Sequence, residues 1–170
     1  MIHLQALKNV KIVIFDFDGV FTNNQVIVSQ KGDESVLCNR SDGLGLDMLR
    51  RFGIEMVIIS TEKNPVVRMR ADKLKIKCYY DCPDKLALLK EVLLEKKISL
   101  AKTAYVGNDI NDLSCLEAVG LPVVVADAYP AVKKAAKIIL KKKGGHGAVR
   151  EFCEILSASQ IKRSRNEKDV

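Results

Sequence analysis

Two aspartates one residue apart, Asp16 and Asp18, stand in the run Phe15-Asp16-Phe17-Asp18-Gly19-Val20-Phe21-Thr22, directly after the apolar segment 10–15. Carboxylates this close repel one another and need a proton or a cation between them. A magnesium ion, which takes oxygen ligands, meets that need, and Gly19 lets the chain turn sharply behind the pair. The plain alternative is an acidic turn after a strand. Two more strand ends are polar: Ser60 after the apolar run 55–60, and Asn108-Asp109 after the run 103–107. Taken singly, Ser60 is a helix-entry residue. Their convergence with Asp16 at strand ends points to a single site.

The elements that must position these groups alternate between strand and helix. Continuous β-branched apolar runs at 10–15, 55–60, 103–107 and 121–126 predict buried parallel strands. Residues 25–29 and 35–38 flank a Gly-containing turn and predict a β-hairpin. Helices are expected at 43–52, from Asn64-Pro65 to about Leu74, from Asp84 to about Lys96, over 112–118, briefly after Pro130, and over 147–157. A short strand is expected at 77–80 and an edge strand at 137–140. The tail 158–170 is charged, lacks apolar periodicity and is expected to be disordered. The predicted class is α/β, a Rossmann-like parallel sheet with helices on both faces, in one domain over 1–157. In such sheets ligands sit at the carboxyl ends of the strands, where Asp16, Ser60 and Asn108-Asp109 fall.

In these residues the chain resembles the haloacid dehalogenase superfamily, over about residues 8 to 157, with the family's four motifs in order. The resemblance implies that Asp16 is the nucleophile that forms an aspartyl-phosphate. It implies that Asp18 is the general acid/base, with its main-chain carbonyl on the metal. Ser60 would hold the phosphoryl group, Lys85 would offset its charge, and Gly107 to Asp112 would be the metal-binding motif. The implied metal set is Asp16, Asp18, Asn108 and Asp109 around Mg2+. At position 108 the family usually has Asp. Asn keeps a carbonyl oxygen but removes a charge, so weaker metal binding is expected; Asp109 could compensate, or Asp112 could act from behind the ligands.

The resemblance also bears on substrate and assembly. There is no room for a cap domain between residues 22 and 60 or between 60 and 85. Capless relatives acting on 3-deoxy-D-manno-octulosonate 8-phosphate and nonulosonate 9-phosphates are tetramers in which one subunit's hairpin covers its neighbour's site. That implies a homotetramer with shared sites and a hairpin flap. Their GGxGAVRE-like segment reads here Gly144-Gly145-His146-Gly147-Ala148-Val149-Arg150-Glu151. It implies a flexible loop near the ligand with Arg150 on an anion, or simply a linker with Arg150 solvated. Thr22, Thr61, Glu62, Arg70 and Lys73 complete the expected substrate-binding set. Glu62, with Arg70 and Lys73 at i, i+3, is similar to relatives acting on nine-carbon sugar acids, whereas octulosonate phosphatases tend to carry Gly-Arg after the phosphate-binding residue. The leading expectation is therefore a Mg-dependent nonulosonate 9-phosphate phosphatase; the alternative enzyme is the octulosonate 8-phosphate phosphatase. Residues 60–67 also look like modules fused to cytidylyl-sialate synthetases, and a non-catalytic oligomerisation module for such a synthetase is the alternative from another class.

Composition narrows the field further. The chain has 170 residues, is 48% hydrophobic and 29% charged, and carries a net charge of +7 concentrated late in the sequence. With 5% aromatics and no finger or glycine-aromatic motif, the charge fits an anionic substrate or a solvated basic face better than nucleic acid. No apolar run approaches the roughly 20 residues of a membrane span, and the N-terminus does not read as a signal peptide. Cys38, Cys78, Cys82, Cys115 and Cys153 are an odd number, without a second Cys/His pair for zinc. A cytoplasmic protein with reduced thiols is expected.

Overall fold

A computed structural model describes residues 2–166. Six strands form one parallel sheet: β1 (Ile12–Phe15), β4 (Glu55–Ile59), β5 (Lys77–Tyr79), β6 (Thr103–Gly107), β7 (Leu121–Val124) and β8 (Ile138–Ile139), in the order β5-β4-β1-β6-β7-β8. Every residue of β1, β6 and β7 is buried. Successive side chains of a strand point to opposite faces, so burial at every position means that both faces are covered. The cover comes from α1 (Ile2–Asn9), α2 (Ser41–Arg50), α3 (Val66–Leu74), α4 (Lys85–Lys96), α5 (Leu113–Ala118), α6 (Pro130–Ala135) and α7 (Ala148–Asn166). The α/β Rossmann-like expectation holds, and no cap domain is present among the described residues.

The remaining two strands, β2 (Thr22–Val28) and β3 (Glu34–Cys38), pair antiparallel in a separate hairpin. The chain crosses from β1 to β4 on one side, then returns after β5 to lay β6 on β1's other side. This reversal at the central strand creates a crevice at the carboxyl ends of β1, β4 and β6.

Helix boundaries follow local chemistry. The Asp84 side chain accepts from Ala87 N at 3.0 Å and opens α4. Asn64 Oδ1 accepts from Val66 N at 3.0 Å at the start of α3. The disordered-tail expectation is corrected: α7 continues to Asn166, and Ser157, Ser159 and Gln160 are buried. Gln160 Nε2 donates to Leu7 O at 2.9 Å, tying α7 to the end of α1. Ser159 Oγ likewise donates to a main-chain oxygen, that of Leu156, at 2.7 Å, so polar residues are buried here and no apolar periodicity marks the segment. Residues 167–170 lie outside the described residues. Helix α1, not expected from the pattern, buries Leu7.

Candidate active site

The loop after β1 is shaped by its own apolar residues. Phe17, Val20 and Phe21 are fully buried; Phe21 stacks on Phe17 at 5.9 Å and meets Phe15 edge-on at 5.4 Å. The amides of Val20, Phe21 and Thr22 all donate to Phe17 O at 3.2, 2.9 and 3.3 Å. This tight turn carries Asp16 on one side and Asp18 on the other. Gly19 has φ +76°, and a Cβ there would collide with the Asn108 amide, so only glycine fits.

Asp16 is 4% exposed. Lys85 Nζ lies 2.7 Å from Asp16 Oδ1 and 2.8 Å from Asp112 Oδ1, and the ammonium is itself buried. Asp112 is also buried and fully engaged. Its Oδ1 further accepts from Tyr105 OH at 2.7 Å, and its Oδ2 accepts from Asn108 N at 2.9 Å and Asp109 N at 3.3 Å. Two carboxylates against one ammonium leave the cluster one negative charge in excess. Burial, and then repulsion from Asp112, accordingly push Asp16 up to about 7 despite Lys85. Burial alone would lower the Lys85 pKa, but Asp16 and Asp112 outweigh it and the net shift is upward. Asp18 is raised by partial burial and then by Glu62, against a hydrogen bond from Thr22.

One terminal amide atom of Asn108 lies 2.9 Å from Asp18 O and 3.1 Å from Asp16 Oδ2. With nitrogen at that position, two hydrogen bonds join the three groups. With the amide turned by 180°, three oxygens converge with no proton between them, which a cation alone makes favourable. Oxygen ligands at 2.0–2.1 Å in an octahedron are separated by about 2.9 Å. The spacing and the excess negative charge both fit Mg2+ held by Asp16 Oδ2, Asp18 O and Asn108 Oδ1. No trio of carboxylate, imidazole or thiol side chains converges among the described residues; here an amide and a main-chain carbonyl complete the set. Asp109 accepts from Ile110 N at 2.6 Å and caps the turn after β6.

The other expected residues divide. Ser60 is buried at the end of β4, and its Oγ accepts from Glu62 N at 3.1 Å. Thr61 Oγ1 accepts from Asn111 Nδ2 at 3.4 Å, linking the loops after β4 and β6. Thr61 and Glu62 line a groove of about 240 Å³ with Asp18, Asn24, Val26, Glu34, Val36, Asn64 and Val66. Glu62 Oε1 accepts from Lys63 N and Asn64 N, both at 2.7 Å. Asn64 Nδ2 reaches Glu34 Oε2 at 3.2 Å and so ties the hairpin to this wall.

The remaining expected residues do not line this groove. Thr22 is fully buried: its Oγ1 donates to Asp18 Oδ1 at 3.3 Å and accepts from Gly19 N at 3.1 Å, so it orients Asp18 and offers no substrate contact. Arg70 and Lys73 do sit together, but with Arg40 and Leu74 in a second pocket of about 250 Å³, apart from the Asp18–Glu62 groove. Arg70 also donates to Asn39 O at 3.0 Å at the root of the hairpin. Arg150 Nε is bound to Glu154 Oε1 at 2.7 Å, and its stem packs on Gly45. Sequence reasoning missed Tyr105, Glu34 and Asn24. A tyrosine inside an otherwise aliphatic buried strand was the available signal for Tyr105, because its hydroxyl must find a partner.

Comparison with known proteins follows the same lines. The family model for haloacid dehalogenase-like hydrolases matches residues 53–152. The 3-deoxy-D-manno-octulosonate 8-phosphate phosphatase of Escherichia coli K12 is 35% identical over 156 residues, covering 91% of this chain and 83% of that one. The crystal structure of the Moraxella catarrhalis phosphatase of the same name, in complex with magnesium, phosphate and the octulosonate, superposes with a TM-score of 0.90 at 30% identity, over 98% of this chain and 96% of that one. N-acylneuraminate cytidylyltransferase A of Danio rerio is 32% identical over 94% of this chain, which spans only 38% of that protein. The chain belongs to the haloacid dehalogenase-like hydrolases, in their capless subgroup, and its class is that of a phosphoric monoester hydrolase.

Proposed function

We propose that this chain is a magnesium-dependent phosphatase of a sugar-acid phosphate, with 3-deoxy-D-manno-octulosonate 8-phosphate as the first-ranked substrate. The observation that carries the reading is the convergence of Asp16 Oδ2, Asp18 O and the Asn108 amide, with Lys85 on Asp16 Oδ1. The named relatives move the octulosonate ester ahead of the nine-carbon esters expected from Glu62. The nine-carbon reading stays second, supported by Glu62 in the groove and by the similarity to a cytidylyltransferase of N-acylneuraminate. A non-catalytic module would have no use for a buried lysine between two carboxylates, an arrangement costly to maintain without a function.

Residue roles follow from the geometry. Asp16, Asp18 and Asn108 would hold Mg2+, which when bound neutralises the excess charge and polarises a phosphoryl oxygen. Asp16 Oδ2 would face that cradle, and Oδ1, beside the Lys85 ammonium at 2.7 Å, would be the oxygen that attacks phosphorus. Lys85 and the Ser60 hydroxyl stabilise charge on the phosphoryl oxygens. Asp18, its pKa raised and its carboxyl oriented by Thr22, gives its proton to the departing sugar oxygen. It then takes a proton from the water that attacks the aspartyl-phosphate, and phosphate and free Asp16 result. The groove beside Asp18 would take the sugar chain, with Glu62 and Glu34 accepting from its hydroxyls. Arg70 and Lys73 lie outside that groove, so they would meet a sugar carboxylate only across a subunit contact. A homotetramer whose hairpins cover neighbouring sites supplies such a contact.

Phosphate release from octulosonate 8-phosphate, neuraminate 9-phosphate and p-nitrophenyl phosphate, with magnesium and with chelator, tests this. Magnesium-dependent release with the octulosonate ester preferred is expected. Glu62→Ala should change the preference between the sugar acids by about tenfold, leaving p-nitrophenyl phosphate within about twofold. No release from any ester by folded, magnesium-loaded protein would end the reading.

A further inference from the structure

The segment between β8 and α7 does not line the groove. It lies against the far side of the loop that carries Asp16 and Asp18. Gly145 N donates to Val20 O at 3.1 Å. Gly144 is buried, and a Cβ on it would collide with Gly19 O. Gly19 is thus clamped between two groups: the Asn108 amide on its α-carbon side and Gly144 on its carbonyl side. Asp18 O and Asn108, two of the three cradle oxygens, flank that same residue.

The clamp is anchored from outside the site. Gly144 N donates to Asp127 Oδ1 at 3.0 Å. The Glu151 carboxylate, in the first turn of α7, accepts from Lys141 N at 3.0 and 3.1 Å and from Lys142 N at 2.8 Å. Ala126 N donates to Lys142 O at 3.0 Å, closing the segment onto the end of β7. The Asp127 and Glu151 anchors are charge-assisted bonds to main-chain amides, the stronger kind, and with the main-chain bond from Ala126 they hold the two glycines, which have no side chains to pack.

We infer that residues 141–147 are a buttress for the cation cradle, with Gly144 as its positioning residue and Asp127 and Glu151 as its anchors. The inference rests on the magnesium site proposed above. The buttress presses Gly19 so that Asp18 O stays at bonding separation from Asn108, and it does this without touching the ion or the substrate. Loosening it widens the cradle. Groups that orient metal ligands from behind typically change affinity by about 10- to 100-fold when removed.

The experiment is a titration of Mn2+ into the full chain, followed by the free-ion electron paramagnetic resonance signal, with Mg2+ as competitor. It is run well below each variant's melting temperature, with circular dichroism verifying the fold. Gly144→Ala should weaken Mn2+ binding by about tenfold or more. Asp127→Ala and Glu151→Ala should weaken it by a smaller factor, and Glu151→Gln, which keeps one acceptor oxygen, should recover part of the loss. If Gly144→Ala does not fold, the two anchor variants decide the matter. Variants that are folded and melt lower, yet bind Mn2+ as the wild type does, would overturn the buttress and leave the site intact. A wild type that binds no Mn2+ would overturn the site and the buttress together.

Discussion

The reaction centre and the hairpin are built on opposite terms. Around Asp16 every polar atom of the Lys85–Asp112–Tyr105 cluster has a partner inside the chain, and each of these residues is buried. In the hairpin, Val26, Ile27, Val28 and Leu37 are 54–62% exposed, on a two-stranded unit that would be marginal alone in water. One region is finished by the fold of a single chain. The other presents apolar surface outside the fold's own cover, which a second copy would bury in the proposed tetramer. On the proposed reading the difference separates chemistry from selectivity: phosphoryl transfer would be set inside the domain, and recognition of the sugar acid at its mouth.

The largest effect should come from the finished region. Asp16→Asn removes the attacking oxygen and should lower phosphate release by about 10⁴-fold or more for every ester tested, sugar acid or not. A loss confined to sugar acids would place Asp16 in recognition and collapse the division.

Asp112→Ala comes next. It strands the buried Lys85 ammonium from one carboxylate and leaves Tyr105 OH and the amides of Asn108 and Asp109 without their acceptor. A cost of about 3–5 kcal/mol is expected, read as the shift in urea-unfolding free energy. A variant as stable as wild type would mean that the cluster relaxes easily.

Much of the centre was legible in the sequence because each contributor marks an element's end. Asp16, Ser60 and Asn108 follow apolar strands, and Lys85 follows an N-cap, so local pattern alone places them on one edge of a parallel sheet. What was illegible depends on contacts that sequence distance hides. Thr22 was expected among the substrate-binding residues, yet the turn folds its hydroxyl back onto Asp18. Arg150 reads as an anion ligand after a glycine-rich loop, yet Glu154 one turn on takes its side chain, and the glycines pack on backbone. The helical course of residues 158–166 depends on Gln160 meeting Leu7 from the other end of the chain. The class was correct because periodicity is local. The proposed order of substrates was changed by the named relatives, not by local pattern, because Glu62 is only one wall of a groove that Glu34 and the hairpin share.

Between the two regions, at the root of the hairpin, lies Asp42. It is fully buried at the start of α2, accepts from Arg150 N at 3.2 Å, and leaves its Oδ2 without a partner. Burial pushes its pKa from 3.8 up to about 6, against relief from the Arg150 amide and from the Arg70 and Lys142 charges. A carboxyl whose folded-state pKa is raised favours folding fully below about pH 4, and that contribution is lost as pH rises through about 6. The rise corresponds to about 3 kcal/mol at 1.36 kcal/mol per unit. Asp42→Asn should therefore gain stability relative to wild type between about pH 4 and pH 8, by up to that amount. A difference that does not change with pH would show that Asp42 is ionised without penalty.

The smallest effect should fall on the unfinished region. Ile27→Asp places a charge on the exposed apolar strand, where a covering copy would have to desolvate it. Light scattering should then show a smaller assembly than the wild type forms. Turnover of the sugar-acid ester should fall by about tenfold, as expected when one wall of a site is withdrawn, while p-nitrophenyl phosphate turnover stays within about twofold. Equal losses on both esters would mean that the hairpin orders the reaction centre itself. An unchanged assembly with unchanged turnover would mean that the apolar strand faces water in the working enzyme, and that selectivity resides in Glu62 and Glu34 alone.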